Sequence, residues 1–266
     1  MNGVCIKIAN IIRSTAWTAP QIKPFSLFHL ALFIFGITAS ALLAFRCKHF
    51  NNKQCSVILI VVGLFLLIAE GYKQLFYTVL RDNGIYDLSL LPFQLCSMPL
   101  YFCFLLPFIH SGRFRDALCC FIATYNLLGG LLALAFPAEI FARYITVTVQ
   151  SLLWHYALIF LAVFQLAQRK TAFSLRNFVD CAGIFCVISA AAILINRICT
   201  PYSLRPMRLF FIGRQDPDIP VFHRLYSHFG WITSTVIFIL SATAGSFIIW
   251  LCERRVILRM SEKAAK

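Results

Sequence analysis

The chain has 266 residues, of which 60% are hydrophobic and only 13% charged, with a mean hydropathy of +0.80. A soluble domain carries about 25% charged residues, so the polar surface that would coat a water-soluble globule is missing. The formal charge of +14 sits between apolar runs and at the C-terminal end, without interleaved aromatics, which argues against a nucleic-acid partner and for anionic lipid head groups.

In chain order, residues 1–24 come first. Their apolar content is broken by Lys7, Asn10 and Arg13, and no small-residue cleavage site follows. This predicts an interfacial amphipathic segment, not a cleaved signal. Seven apolar runs follow: Phe25 to Phe45, Cys55 to Val79, Leu90 to Ile109, Phe114 to Phe136, Tyr144 to Ala167, Phe178 to Cys199 and Ser227 to Leu251. Each run matches a hydrocarbon core of about 30 Å crossed by a helix. The runs do not alternate apolar and polar, which excludes a barrel, and backbone groups facing lipid must pair within the segment. The expected class is therefore all-α: a polytopic membrane bundle of about seven transmembrane helices over residues 25–251, followed by a basic tail over 252–266.

The connection Thr200 to Tyr226 holds Pro201, Pro206, Pro217 and Pro220, which oppose one continuous helix. Its Met207 to Ile212 stretch is expected at the membrane interface. Lys and Arg set the orientation. Connections one, three and five carry Arg46, Lys48, Lys53, Arg113, Arg115, Arg169, Lys170 and Arg176, and the tail adds Arg254, Arg255, Arg259, Lys263 and Lys266. Connections two and four carry only Arg81 and Arg143. By the positive-inside rule the C-terminus is cytoplasmic and the N-terminus outside, in the plasma membrane if the source is bacterial. Lys7, Arg13, Lys23 and the four Arg of the long connection blur that asymmetry.

Polar groups inside lipid are costly and need a partner or a purpose. Glu70, Cys96, Asn126, His155 and Asn196 come from five different runs and all fall within about 17 Å of the expected outer face at 1.5 Å per residue. Glu70 and Lys73 lie three apart and share a helix face, as an ion pair or as a head-group and imidazole-orienting site. Pro99 cannot donate to the Leu95 carbonyl, which predicts a kink and a free carbonyl beside Cys96. His155 is the one His deep in a run, and Cys with His is a minimal nucleophile and base. Packing is the simpler role for most of the eleven Cys, and polar glue for Asn126, Gln150, Gln165 and Asn196. Gly129 with Gly130, and Ser241 with Gly245, permit close helix approach. There is no CxxC, zinc spacing, GxSxG, HExxH, P-loop or GxGxxG, so neither a metal nor another cofactor is expected, and no disulfide framework.

The string Leu91-Pro92-Phe93-Gln94-Leu95-Cys96-Ser97 resembles the hallmark of the YwaF-like integral membrane proteins. So does Tyr125-Asn126-Leu127-Leu128-Gly129-Gly130 followed by Pro137, with His155 midway along the fifth run and Asn196 ahead of a proline-containing stretch. The resemblance covers roughly Glu70 to Trp250. It implies a compact bundle of about seven helices. Through a eukaryotic relative it also implies Cys/His-dependent transfer of acyl chains to lysophospholipids by a thioester on Cys96, with His155 required. Family members often carry a His where this chain has Gln94, and small residues where Trp154 and Tyr156 flank His155; bulky flanks narrow an acyl groove.

The expected function is phospholipid or lysophospholipid acyl transfer. Cys96 and His155 are the catalytic pair, Glu70 or Asn126 orients His155, Lys73 or Arg197 holds the phosphate, and Gln94 and Asn196 complete the polar slab. Two alternatives are a small-solute carrier or channel using the same slab, and a sensor or assembly protein without chemistry. Inverted repeats with two broken helices would favour transport, and the sequence has none. Oligomeric state is left open.

Overall fold

The computed structural model of this chain describes residues 3–18, 20, 22–138, 140–168, 174–217 and 219–264. Arg169, Lys170 and Lys266 of the charge asymmetry lie outside the described residues. Among the described residues every regular element is helical, apart from one isolated bridge between Thr18 and Tyr144. The elements are α1 (Gly3–Ser14), α2 (Leu27–Arg46), α3 (Asn52–Leu80), α4 (Met98–Leu105), α5 (Arg113–Phe121), α6 (Leu127–Ala135), α7 (Ile145–Ala167), α8 (Leu175–Cys199) and α9 (Pro220–Ala264). A π-helical turn, Ile122–Asn126, joins α5 to α6. Among the described residues six helices are long and apolar enough to cross a membrane: α2, α3, the α5–α6 span, α7, α8 and α9. Large apolar side chains such as Leu27, Ile34, Leu42, Ile68, Val187 and Leu240 are exposed on their outer faces, where lipid would cover them.

Helix starts follow local chemistry. Ser26 and Ser174 accept the N–H of His29 and Asn177, and Asn51 with Gln54 closes a capping box on α3. The third apolar run departs from expectation, because it yields only a shorter helix, Leu95–Phe108, well below the ~30 Å of a hydrocarbon core. Pro92 forces Leu91 out of the helical region (ψ 126°), and a tight turn follows, in which the Phe93 N–H bonds the Leu91 carbonyl at 2.7 Å. Pro99 lies in the first turn of α4, where a missing N–H costs nothing, so no kink forms there. The Leu95 carbonyl is not free either, since it accepts the Met98 N–H.

The α5–α6 span and α7 form the centre, with 67% and 56% of their apolar windows buried against 17–28% for α2, α3, α8 and α9. Around them the core stacks Tyr125 on Phe121 and Phe185, at centroid distances of 5.1 and 4.5 Å. Gly36 lets α2 lie against α7, because a Cβ there would stand 1.9 Å from Cε1 of Tyr156. Ser40 donates to the Tyr156 carbonyl at 3.0 Å, and the Tyr156 hydroxyl donates to the Leu32 carbonyl at 2.9 Å. Gly130 and Gly245 play the expected close-approach role against Ile159 and Leu128.

One end of the bundle, the lid end, gathers α1 and the connections α3–α4, α6–α7 and α8–α9. α1 is tied down there: Thr15 Oγ1 meets Tyr72 Oη at 2.9 Å, and Thr146 Oγ1 donates to the Thr15 carbonyl at 3.0 Å. The apolar stretch of the α8–α9 connection does not lie at the membrane interface, contrary to expectation. Met207, Leu209, Phe210 and Ile212 are fully buried and join the main core, with Phe210 against Phe93 and Phe185. An apolar stretch flanked by proline turns is short enough to fold back between helices, where burial stabilises it more than an interface would. The opposite, tail end holds the connections α2–α3 and α4–α5, the end of α7, the start of α8 and the last turns of α9. That helix continues through the residues expected as a separate tail, after a break at Gly230 (φ 80°).

Candidate functional site

The polar residues of the expected slab sort into two groups. The first holds the lid. Asn196 Nδ2 donates to the carbonyls of Leu209 (3.1 Å) and Ile212 (2.9 Å), and its Oδ1 accepts the Leu209 N–H at 2.9 Å. Gln94 Oε1 accepts the Phe210 N–H at 2.7 Å, and its Nε2 donates to the Arg208 carbonyl at 3.3 Å. Thr235 accepts the Gly213 N–H at 3.1 Å. These clamps hold Phe210 and Phe211 at φ 58° and 54°, a left-handed conformation that costs an ordinary L residue about 1–2 kcal/mol. The lid is further closed by charge. Arg205 Nη1 lies 2.6 Å from Asp82 and 2.9 Å from Asp87, and Arg81 Nη2 lies 2.9 and 3.3 Å from the same two carboxylates. Burial pulls the Asp82 carboxyl upward, but hydrogen bonds from Arg81 and Arg205 outweigh it and leave it below the ordinary carboxylate range. Asp87 is lowered too: burial opposes, and bonds from Ser89, Arg205 and the Leu204 N–H prevail.

The second group lies beneath the lid, around the start of α4 and the middle of α7. The Trp154 indole donates to the Cys96 carbonyl at 3.1 Å, so the turn that carries Cys96 is pinned to α7. Lys73 reaches over the same indole, 5.9 Å from its centroid, and its ammonium forms a 2.7 Å ion pair with the buried Glu70. Gln74 Nε2 donates to Glu70 Oε1 at 3.0 Å, and the Tyr86 hydroxyl donates to Gln74 at 2.9 Å. Lys73 lies within electrostatic reach of both the Cys96 thiol and the His155 ring. His155 is the residue after Trp154 and is 8% exposed. Its Nδ1 stands 2.7 Å from the Ser151 carbonyl, which can only accept, so Nδ1 carries the proton and Nε2 keeps its lone pair. Cys96 occupies the turn Leu95–Ser97 just before α4, where the helix dipole favours negative charge. Among the described residues no hydrogen bond joins the thiol to the imidazole.

The structure thus brings Glu70, Lys73, Cys96 and His155 to one region through Trp154. It gives Gln94 and Asn196 to the lid. Asn126 is one turn further along: its Nδ2 donates to the Leu158 carbonyl at 3.0 Å and its Oδ1 has no partner among the described residues. Arg197 is exposed beside the lid-end terminus of α8. Ser151, and not Glu70 or Asn126, provides the hydrogen bond that orients the His155 ring. Trp154, in the sequence a bulky flank of His155 that narrows the groove, is in the structure the link between the two candidate catalytic segments. Sequence reasoning missed the cluster of Arg81, Asp82, Asp87 and Arg205. Two acids six residues or fewer from Arg81, in a connection otherwise poor in charge, were the available signal.

The long apolar helices, the buried polar groups between them and the lipid-facing exterior define a multi-pass integral membrane protein. The chain belongs to the TMEM164 family, a family of membrane proteins, whose model matches residues 24–252. No curated protein and no solved structure matches it.

Proposed function

We propose that this chain is a YwaF-like membrane acyltransferase acting on phospholipids and lysophospholipids, with Cys96 as the acyl carrier and His155 as the base. The observation that carries this reading is the Trp154–Cys96 hydrogen bond, which holds the thiol-bearing turn against the turn of α7 that bears a His with Nε2 uncommitted. In the first half-reaction His155 Nε2 takes the thiol proton, and the Cys96 sulfur attacks the ester carbonyl of a phospholipid. The tetrahedral adduct collapses, the lysolipid oxygen leaves with the proton from His155, and a Cys96 thioester remains. In the second, Nε2 takes the proton of an acceptor lysolipid hydroxyl. That oxygen attacks the thioester, and the thiol is re-formed by the proton held on His155. Lys73 is the charge-assisted donor for the phosphate, with Arg197 at the rim. Glu70 holds Lys73 in place, and Asn126 lines the site with its free Oδ1. Gln94 and Asn196 act through the lid, by shaping the floor under which the acyl chain lies.

In this reading the lid end faces outside and the C-terminus is cytoplasmic, residues 25–251 form one catalytic bundle, and residues 252–266 meet anionic head groups. The test is acyl exchange in nanodiscs with a labelled phospholipid donor and an unlabelled lysolipid acceptor. Cys96→Ala and His155→Gln should each abolish exchange, while Lys73→Met raises the lysolipid KM more than it lowers kcat. Full exchange by folded Cys96→Ala protein would overturn the reading.

A further inference from the structure

Away from the lid, one face of α9 carries three buried side chains with polar atoms that find no partner among the described residues. They are Ser246 Oγ, Trp250 Nε1 and both carboxylate oxygens of Glu253. Spacings of four and three residues place them in one stripe on the helix. The stripe is 0%, 1% and 5% exposed, so water does not satisfy it at the surface. The wall around it is aromatic: the Trp250 ring lies 5.8 Å from Phe178 and 5.5 Å from Phe247.

An ionised carboxylate alone in such surroundings costs several kcal/mol, and intramembrane acids persist where they hold a proton, a cation or a cationic side chain. No cationic side chain answers Glu253 among the described residues. Arg254, next in sequence, turns outward and stacks over Trp250 at 5.4 Å. From α5 the ionisable group facing Glu253 is Cys120, while Arg113 is paired with Asp180 of α8 and Arg115 Nε donates to the Ile109 carbonyl. From α8, Cys181 faces Cys120 and lies 3.9 Å from Thr124 Oγ1. Tyr125 of the π turn is bound to Thr243, and α6 contributes no ionisable residue. Nor do three His, Cys, Asp or Glu converge as a metal-holding group among the described residues. A single carboxylate without further anionic ligands matches one positive charge rather than a divalent ion.

We propose that Glu253 is a binding site for one monovalent positive charge, a proton or a sodium-sized cation, in the tail-end half of the bundle. Trp250 offers its N–H to the carboxyl or to a water sharing the site. The site is separate from the Cys96 region, and Glu253 lies just past the residues that the family model matches.

The experiment uses the full chain in nanodiscs, treated with dicyclohexylcarbodiimide, which modifies protonated carboxyls in apolar surroundings. Modification is located by peptide mass spectrometry. Glu253 should be modified, and above its midpoint the yield should fall about tenfold per pH unit. Titration with sodium against choline at fixed pH separates the two ligands: protection by sodium assigns the alkali cation, and its absence with a retained pH dependence assigns the proton. An infrared band of a protonated carboxyl should vanish in Glu253→Gln. Because the labelling is read on the unaltered chain, it does not depend on how that variant folds. A Glu253 that stays unmodified at every pH and sodium concentration, in protein that remains folded, would overturn the proposal.

Discussion

At the lid end Asn196 commits its whole amide to the backbone of residues 209–212, and Asp82 and Asp87 are each met by two arginines. At the tail end Glu253, Trp250 and Ser246 are equally buried and leave their polar atoms bare. Both sets sit in a chain poor in polar groups, so composition does not separate them. Partnership does. A buried polar group whose hydrogen bonds are all met by the fold is holding the fold together, whereas one left open is available to something the fold does not contain. The region between them, around Cys96 and His155, is intermediate. The Cys96 carbonyl and His155 Nδ1 are tied down, whereas His155 Nε2 has no hydrogen bond among the described residues.

The largest effect expected from this contrast is at Asn196. Replacing it with Leu leaves the Leu209 N–H and the carbonyls of Leu209 and Ile212 buried without partners, at about 1–3 kcal/mol each. Thermal unfolding in nanodiscs should shift sharply downward, and amide exchange across 207–213 should lose its protection. A second large effect belongs to Gly36→Ala, where the new Cβ meets Tyr156; overpacking of this kind costs about 1–3 kcal/mol. The double variant with Tyr156→Ala should recover part of the loss by making room, which separates crowding from a loss of helix propensity.

Acid should loosen the lid next. Asp82 and Asp87 have carboxyls held below their ordinary range in the folded protein, so their stabilisation is complete above an ordinary carboxylate pKa of about 4 and is lost as pH falls through the lowered folded values. Amide protection factors at 203–213, relative to the intrinsic exchange rate, should therefore drop steeply at low pH and not near neutrality. The pair Asp82→Asn with Asp87→Asn should flatten that dependence. The smallest effect is expected at Glu253→Gln, which removes an acid that no cationic side chain meets among the described residues and should leave the melting temperature unchanged or slightly raised. A large destabilisation there would erase the distinction between the two ends.

Much of this was legible in the sequence. Hydrocarbon thickness cuts the chain into apolar rods, and six of the seven runs appear as long helices, five of them close to their expected limits and the seventh extended at both ends. The third run was misjudged because its residues are apolar through Leu91 and Pro92, while the backbone rule that ends a helix before proline acts regardless of hydropathy. Met207 to Ile212 was misplaced for a related reason. Apolar character says that a segment leaves water, not whether it enters lipid or protein, and the partners that decide it, Gln94 and Asn196, are 116 and 13 residues away from the groups they bind. Glu253 was passed over because it adjoins the basic residues Arg254 and Arg255 and reads as tail, although the stripe Ser246, Trp250, Glu253 has helical spacing. The Cys96 and His155 pair was visible as residue types at matched depth, but the indole linking their segments has no signature in a string of apolar letters.

Trapping the acyl intermediate bears most directly on the central claim. Purified protein in nanodiscs, incubated with an isotope-labelled phospholipid and quenched in acid, should carry a hydroxylamine-sensitive acyl group on the peptide containing Cys96. The adduct should be absent from Cys96→Ser protein and should accumulate when the lysolipid acceptor is withheld. Labelled wild-type protein with no acyl group on Cys96, or the same adduct on another cysteine in both proteins, would contradict the account.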